Sequence, residues 1–243
     1  MRRLFAATWL IALATPIAAA PPDDLPSRTT VAALGGTWNP AAPAGLPGRP
    51  IEITRSVPPQ DTRLLIAPTA RALKRGEGYV GASQVFVPFF QVGVTDRFSI
   101  GAGKPLVFAD GFNPVWITPK LQVVARDSVQ AAIGVIHMTG MGGGDAGLAY
   151  GVTTVGHPDR SATVGVGYGY RGGGRAAIVM LGGEIRTGRN VKLIADSWLW
   201  AGGVSFVSGG VRMERRRVSS DFGMVMLIGT AVPVPFVTFA WRF

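Results

Sequence analysis

The sequence predicts an all-β fold: a transmembrane antiparallel up-and-down β-barrel, best counted at twelve strands, with short loops. Three observations carry that prediction. Segments of roughly ten residues alternate between apolar and small or polar side chains, as strands facing lipid on one side and a lumen on the other must do. Charged residues make up 16% of the chain and Gly reaches 34 copies, whereas an average water-soluble domain carries about 25% charge. The only long uncharged stretch beyond the N-terminus, Phe222 to Trp241, contains Pro233 and Pro235, each costing ~3 kcal/mol in a helix interior. Its valines favour pleated geometry, so it reads as two strands joined by a tight turn at Gly229 to Pro233. Hydrocarbon admits only helices and closed barrels, because unpaired backbone groups find no water there. With helices set aside, a barrel follows.

The N-terminal twenty residues read as a removable export signal. Arg2 and Arg3 precede an apolar core from Leu4 to Ala14, and Ala18-Ala19-Ala20 supplies the small residues of a cleavage site. That core is shorter than the ~20 residues of a spanning helix. Residues 21–60 are rich in Pro, Ala and Gly, with Pro40, Pro43, Pro47, Pro50, Pro58 and Pro59 opposing helix and central strand. The expectation is a periplasmic lead-in. A plug folded into the lumen is the alternative, with Trp38 as its one large anchor.

Residues 61–243 then form the barrel. Polar, turn-rich breaks such as Thr95-Asp96-Arg97, Arg126-Asp127-Ser128, His157 to Arg160 and Arg215 to Asp221 separate the strands. They are expected at 62–68, 78–94, 97–107, 115–125, 129–138, 146–156, 161–170, 176–186, 191–200, 203–213, 221–228 and 234–243. The first is the weakest, and ten strands remains open. An even count places both ends of a bacterial barrel on the periplasmic side. In the strand at 161–170, Ala162, Val164, Val166, Tyr168 and Tyr170 point outward, while Thr163, Gly165, Gly167 and Gly169 point inward.

In the last strand Val237, Phe239, Trp241 and Phe243 share one face and Thr238, Ala240 and Arg242 the other. This pattern resembles the C-terminal aromatic β-signal of outer-membrane β-barrel proteins of Gram-negative-type bacteria. The resemblance implies recognition of those four residues by the barrel-assembly machinery, and a location in the outer membrane. The stretch Arg63 to Thr95 resembles small bacterial barrels, a likeness that brings no activity with it.

Inward-facing charge is the remaining signal. Lys120 and Gln122 share an inward face on one strand, and Lys192 and Asp196 on another. Glu184 and Arg186 precede the latter pair, and Arg212 and Glu214 follow it. These eight residues are the candidate lumen lining. They line a polar conduit, or they pair into a network that fills the lumen; pairing is favoured because both signs occur together and buried charge needs partners.

Catalysis finds no constellation. His157 sits in a turn. His137 faces outward near the outer rim, with no serine at a matching height for a nucleophile–base pair. Two separated histidines and no cysteine offer no metal set. The glycines at 165, 167 and 169 lack the strand-then-helix setting of a phosphate loop. No cofactor and no catalytic residue is expected.

The net charge of +10 on an exported chain points to outer-membrane lipids and lipopolysaccharide rather than nucleic acid as partners. By strand parity Arg215-Arg216-Arg217 falls at the periplasmic end. Lys74-Arg75 and the pair Arg171 and Arg175 fall at the outer end, where solvated loop charge or lipopolysaccharide contact accounts for them. The function expected is a narrow passive pore or solute conduit. A structural barrel with a filled lumen is the alternative, and a lipid-facing enzyme stands third.

Overall fold

The computed structural model describes residues 60–106, 113–140, 144–229 and 232–243. The signal at 1–20 and the lead-in up to residue 59 lie outside the described residues. The strands are β1 (Gly78–Ser83), β2 (Val87–Gly93), β3 (Phe98–Gly103), β4 (Val115–Ile117), β5 (Lys120–Ala125), β6 (Val129–Thr139) and β7 (Ala146–His157). They continue with β8 (Arg160–Arg171), β9 (Gly174–Gly188), β10 (Val191–Trp200), β11 (Phe206–Arg215), β12 (Val218–Leu227) and β13 (Pro233–Arg242). All pairings are antiparallel and join neighbours in the chain, apart from the closure of β1 onto β13 and the places where β3 meets β5 and β4 meets β6. β1 pairs with β2 on one side and with β13 on the other, Tyr79 opposite Arg242. β4 and β5 both lie between β3 and β6 and make one stave, interrupted where Pro119 brings no N–H to the ladder. The sheet therefore closes into a barrel of twelve staves.

The count holds, but the segments behind it change at the start. Residues 62–68 are not a stave. They lie inside the barrel, and the one β-bridge they form joins Arg63 to Pro68 within the segment itself. Residues 78–94 are two staves, β1 and β2, folded back at Gln84-Val85-Phe86. That hairpin carries none of the usual turn formers. Gln84 and Val85 adopt φ of 51° and 67°, a region disfavoured for side-chain-bearing residues and most of all for a β-branched one. Neighbouring groups hold it: the Gln84 side chain donates to Pro235 O at 2.6 Å and accepts from Val237 N at 3.2 Å. The Val237 N–H thus points toward β1. Pro235, two residues earlier, turns its missing donor the same way, past the point where β1 has ended. This is why a proline is tolerated in the closing stave.

The outer wall is apolar. Val164, Val166, Leu181, Leu193, Phe222, Met224, Phe239 and Trp241 all lie exposed on it. Phe222 meets Phe239 edge to face at 5.9 Å. The inner wall is filled. An ideal Cβ at Gly165 would lie 2.6 Å from Val152 Cγ1, and one at Gly167 2.7 Å from Leu148 Cδ1. The inward glycines of β8 are therefore the space into which lumenal side chains of the adjoining staves fit.

Substituting Gly167→Leu should overpack this lumen and lower stability by about 1–3 kcal/mol, while the outward Val166→Leu should be close to neutral. The check is the urea midpoint of the heat-modifiable folded band in detergent for each variant.

Candidate functional site

Two rims define the lumen. The terminal rim carries Phe243, the start of β1 and the turn at Arg215-Arg216-Arg217. The distal rim carries the hairpin at Gln84-Val85-Phe86. Lys74 and Arg75 belong to the terminal rim, because Gly76 N donates to Gly93 O at 2.9 Å and Arg75 N to Asp96 Oδ1 at 3.1 Å. Parity counted from residues 62–68 as a stave puts them at the end opposite Arg215 to Arg217. With that segment inside the barrel, both groups share one rim.

Residues 60–73 form a finger within the lumen. Thr69 N donates to Thr62 O at 3.0 Å and Leu64 N to Ala67 O at 2.8 Å, giving a narrow hairpin with the apolar tip Leu64-Leu65-Ile66-Ala67. Gln60, Asp61, Leu64, Leu65, Thr69 and Ala70 are fully buried. Two strands this close to the wall have no room for a ladder with it, so side chains of the wall satisfy the finger's backbone instead.

Lys120 Nζ, from β5, donates to the carbonyls of Thr62, Thr69 and Arg71 at 3.0, 3.1 and 2.7 Å. Arg212, from β11, donates to the carbonyls of Gln60, Arg63 and Leu64 at 2.9, 3.1 and 2.9 Å. It also grips Asp221 of β12 with both carboxylate oxygens, at 2.7 and 3.0 Å. Asp196 Oδ2, from β10, accepts from the amides of Ile66 and Ala67 at 2.8 and 2.7 Å and its other oxygen from Ser208. Gln122 donates to Ala70 O at 2.9 Å, and Thr154 accepts from Ala70 N at the same distance.

The finger's own charges complete the set. Lys192 Nζ lies 2.7 Å from Asp61 Oδ1 and 3.2 Å from both Glu184 and Glu214. Arg71 pairs with Glu184, and Arg63 lies 3.4 Å from Asp221. Burial pushes the Asp61 carboxyl up to about 6, against the opposing pull of Lys192. Around the finger the wall presents Lys120, Lys192 and Arg212 against Glu184, Asp196, Glu214 and Asp221. The finger adds Asp61, Arg63 and Arg71, which brings the two signs into balance.

Of the eight residues singled out in the sequence, Lys120, Gln122, Glu184, Lys192, Asp196, Arg212 and Glu214 are buried on the inner wall. Arg186 sits at the terminal rim, 2.5 Å from Asp159 and 2.9 Å from Glu214. Sequence reasoning missed Asp61, Arg63 and Arg71, which it placed in or beside a stave, and Asp221, which it read as part of a turn. The available signal was local: three charges flank Leu64-Leu65-Ile66 in a run broken by Pro68 and too short to cross a membrane.

Nearer the distal rim the lumen becomes apolar. Trp198 stacks on Trp200 and on Phe206, with ring centroids 6.4 and 5.7 Å apart. One cavity of about 390 Å³ is lined by the finger residues Leu65 and Ile66 together with Phe89, Tyr150 and Phe236. A second, of about 670 Å³, is lined by Leu148, Trp198, Trp200, Arg171 and Arg175. Ile136 and Met138 line both.

Outside, His137 faces the lipid side as its alternation requires, with Nδ1 2.7 Å from Tyr170 Oη and Nε2 3.7 Å from Asp145. Val237, Phe239, Trp241 and Phe243 lie on the same outer surface. Phe243 N closes onto Gly78 O at 3.1 Å.

No protein-family model and no curated protein matches the sequence. Solved structures of similar fold are porins. A KdgM porin superposes with a TM-score of 0.55 at 6% identity, over 69% of this chain and 98% of that one. The KdgM porin in complex with disordered oligogalacturonate gives 0.54 at 6% identity, with the same coverage. A NanC porin gives 0.49 at 8% identity, over 68% of this chain and 97% of that one. At this identity the KdgM likeness is one of fold: a closed antiparallel barrel.

Replacing Asp196 with Leu should free the finger tip, since the amides of Ile66 and Ala67 lose their acceptor at a cost of about 1–3 kcal/mol each. Limited trypsin digestion checks this: cleavage after Arg63 and Arg71 should appear in Asp196→Leu and be absent from the parent barrel.

Proposed function

We propose that the chain is an outer-membrane pore or solute conduit whose resting lumen is closed by residues 60–73. The observation that carries this reading is how the finger is held. It is not laddered into the wall but gripped by side chains, several of them buried charges, and buried ion pairs lie close to thermodynamic break-even. Asp61, held against its own desolvation, is an example. Such a segment can leave and return without dismantling the barrel. The porin-type fold, the apolar outer wall and the short turns support the same reading. Lys120, Gln122, Glu184, Arg186, Lys192, Asp196, Arg212 and Glu214 are then both the latch of the closed state and the lining of the open one.

An outer-membrane location is supported by the apolar outer wall and by the patterns at residues 1–20 and 237–243. Val237, Phe239, Trp241 and Phe243 present an aromatic edge suited to the barrel-assembly machinery, and residues 1–20 suit export and cleavage. On this placement the terminal rim is periplasmic, where its arginines meet lipid headgroups. Arg171 and Arg175 stand at the outer rim.

A second reading is a barrel permanently filled, acting as a structural element. The full burial of the finger favours it. Planar-bilayer recording decides between the two. The intact barrel should be silent or open rarely, whereas deletion of residues 60–71 should give steady conductance steps. A deletion variant that folds, by heat-modifiable migration, and still passes no current would establish the filled barrel instead.

A further inference from the structure

The upper lumen differs in chemistry from the charged layer beneath it, and that difference points to a ligand class. Trp198, Trp200, Leu148, Ile136 and Met138 form an apolar wall around the larger cavity. The wall is built rather than incidental. Gly169 of β8 faces it, and a Cβ there would collide with the Trp200 ring, so the glycine leaves the room that the indole occupies. A cavity of this size suits a small organic molecule.

Polarity arrives only at the edge. Arg171 and Arg175 flank the β8–β9 turn at the mouth of the cavity; by strand alternation Arg171 shares the inner face with Gly169, whereas Arg175 pairs with Tyr170 on the outer face. Among the described residues no carboxylate pairs with either. Asp145, an acid at the same rim, lies instead against His137 on the outer surface. A guanidinium with no carboxylate partner among the described residues, at the edge of an aromatic and aliphatic wall, matches one chemistry: an anionic head on an apolar body. Guanidinium binds carboxylate or sulfonate through paired N–H donors, while flat indole faces favour an aromatic body.

We propose that the distal half of the lumen binds amphipathic organic anions, with the apolar part against Trp198, Trp200 and Leu148 and the acid group on Arg171. A sugar acid fits less well. Apart from the Trp198 indole N–H, which has no acceptor of its own, the wall at Ile136, Met138 and Leu148 offers the sugar's hydroxyls no partner, which is costly. The proposal rests on the conduit reading to the extent that such an anion would be the solute carried. The ligand would also meet the finger, because Ile136 and Met138 line the adjoining cavity together with Leu65 and Ile66.

The test is calorimetry on the full barrel in lipid nanodiscs, with empty nanodiscs as the blank for partitioning. The probes are naphthoate, its neutral counterpart naphthamide, and glucuronate. Naphthoate should bind saturably, with the other two at least about tenfold weaker. Arg171→Gln should weaken naphthoate by about the same factor, and Arg171→Lys should lose less. Glucuronate binding as tightly as naphthoate, an Arg171→Gln variant that binds like the parent, or naphthoate uptake no greater than in empty nanodiscs would each overturn the proposal. Calorimetry needs no current, so a finger-deleted barrel that is silent in bilayers yet binds naphthoate would remove the conduit and keep the site.

Discussion

Every backbone N–H and C=O inside a membrane needs a partner, and this protein meets that requirement in two different ways. The wall meets it by ring closure. β13 returns to β1, so no edge faces hydrocarbon. The one irregular place in the closing seam, around Pro235, is supplied by the side chain of Gln84. The finger cannot use a ladder. Its carbonyls are taken by Lys120, Arg212 and Gln122, and its amides by Asp196 and Thr154. The polar residues of the inner wall are thus arranged around a peptide, and only secondarily around one another.

This arrangement explains why the lumenal charges occur in both signs and on so many staves. Cations suit carbonyl oxygens and acids suit amides, so a wall built to hold a backbone hairpin must present both. The surplus acid of the wall is met by the finger's two arginines and single aspartate. An unpaired buried charge would be expensive, so the finger and the inner wall of β5, β9, β10, β11 and β12 have to change together.

Much of the wall was legible in the sequence, because a period of two is a strong signal wherever one face meets lipid. The staves from β6 to β13 and the inward face of β8 follow directly from alternation and turn formers. Legibility failed where local chemistry was overruled. The hairpin at Gln84-Val85-Phe86 has no Gly, Asn or Asp, and is held by a partner some 150 residues away in the chain. Residues 62–68 imitate a stave, since a short apolar run with flanking charge reads alike whether its partner is lipid or a lumen. The inward orientation of Lys192, Asp196 and Arg212 could be read from parity. Their partners could not, because the contacts join residues about 130 to 150 positions apart.

The two layers of the lumen also set how often the finger can leave. Its tip buries Leu64 and Leu65 completely, and full burial of a leucine is worth about 1.5–3 kcal/mol. Water admitted to the lumen recovers much of the hydrogen bonding lost on undocking, since the net value of such bonds is near 1 kcal/mol each. It recovers none of the apolar burial. A penalty of about 3–6 kcal/mol from the tip alone corresponds to an undocked fraction of roughly one part in a hundred to one in tens of thousands. The charged layer therefore determines where the finger sits, and the apolar tip determines how rarely it moves. Opening at a useful rate requires something that replaces the lost contacts of Leu64 and Leu65 while the hairpin is away. Within the lumen, that demand falls on the apolar layer directly above the tip.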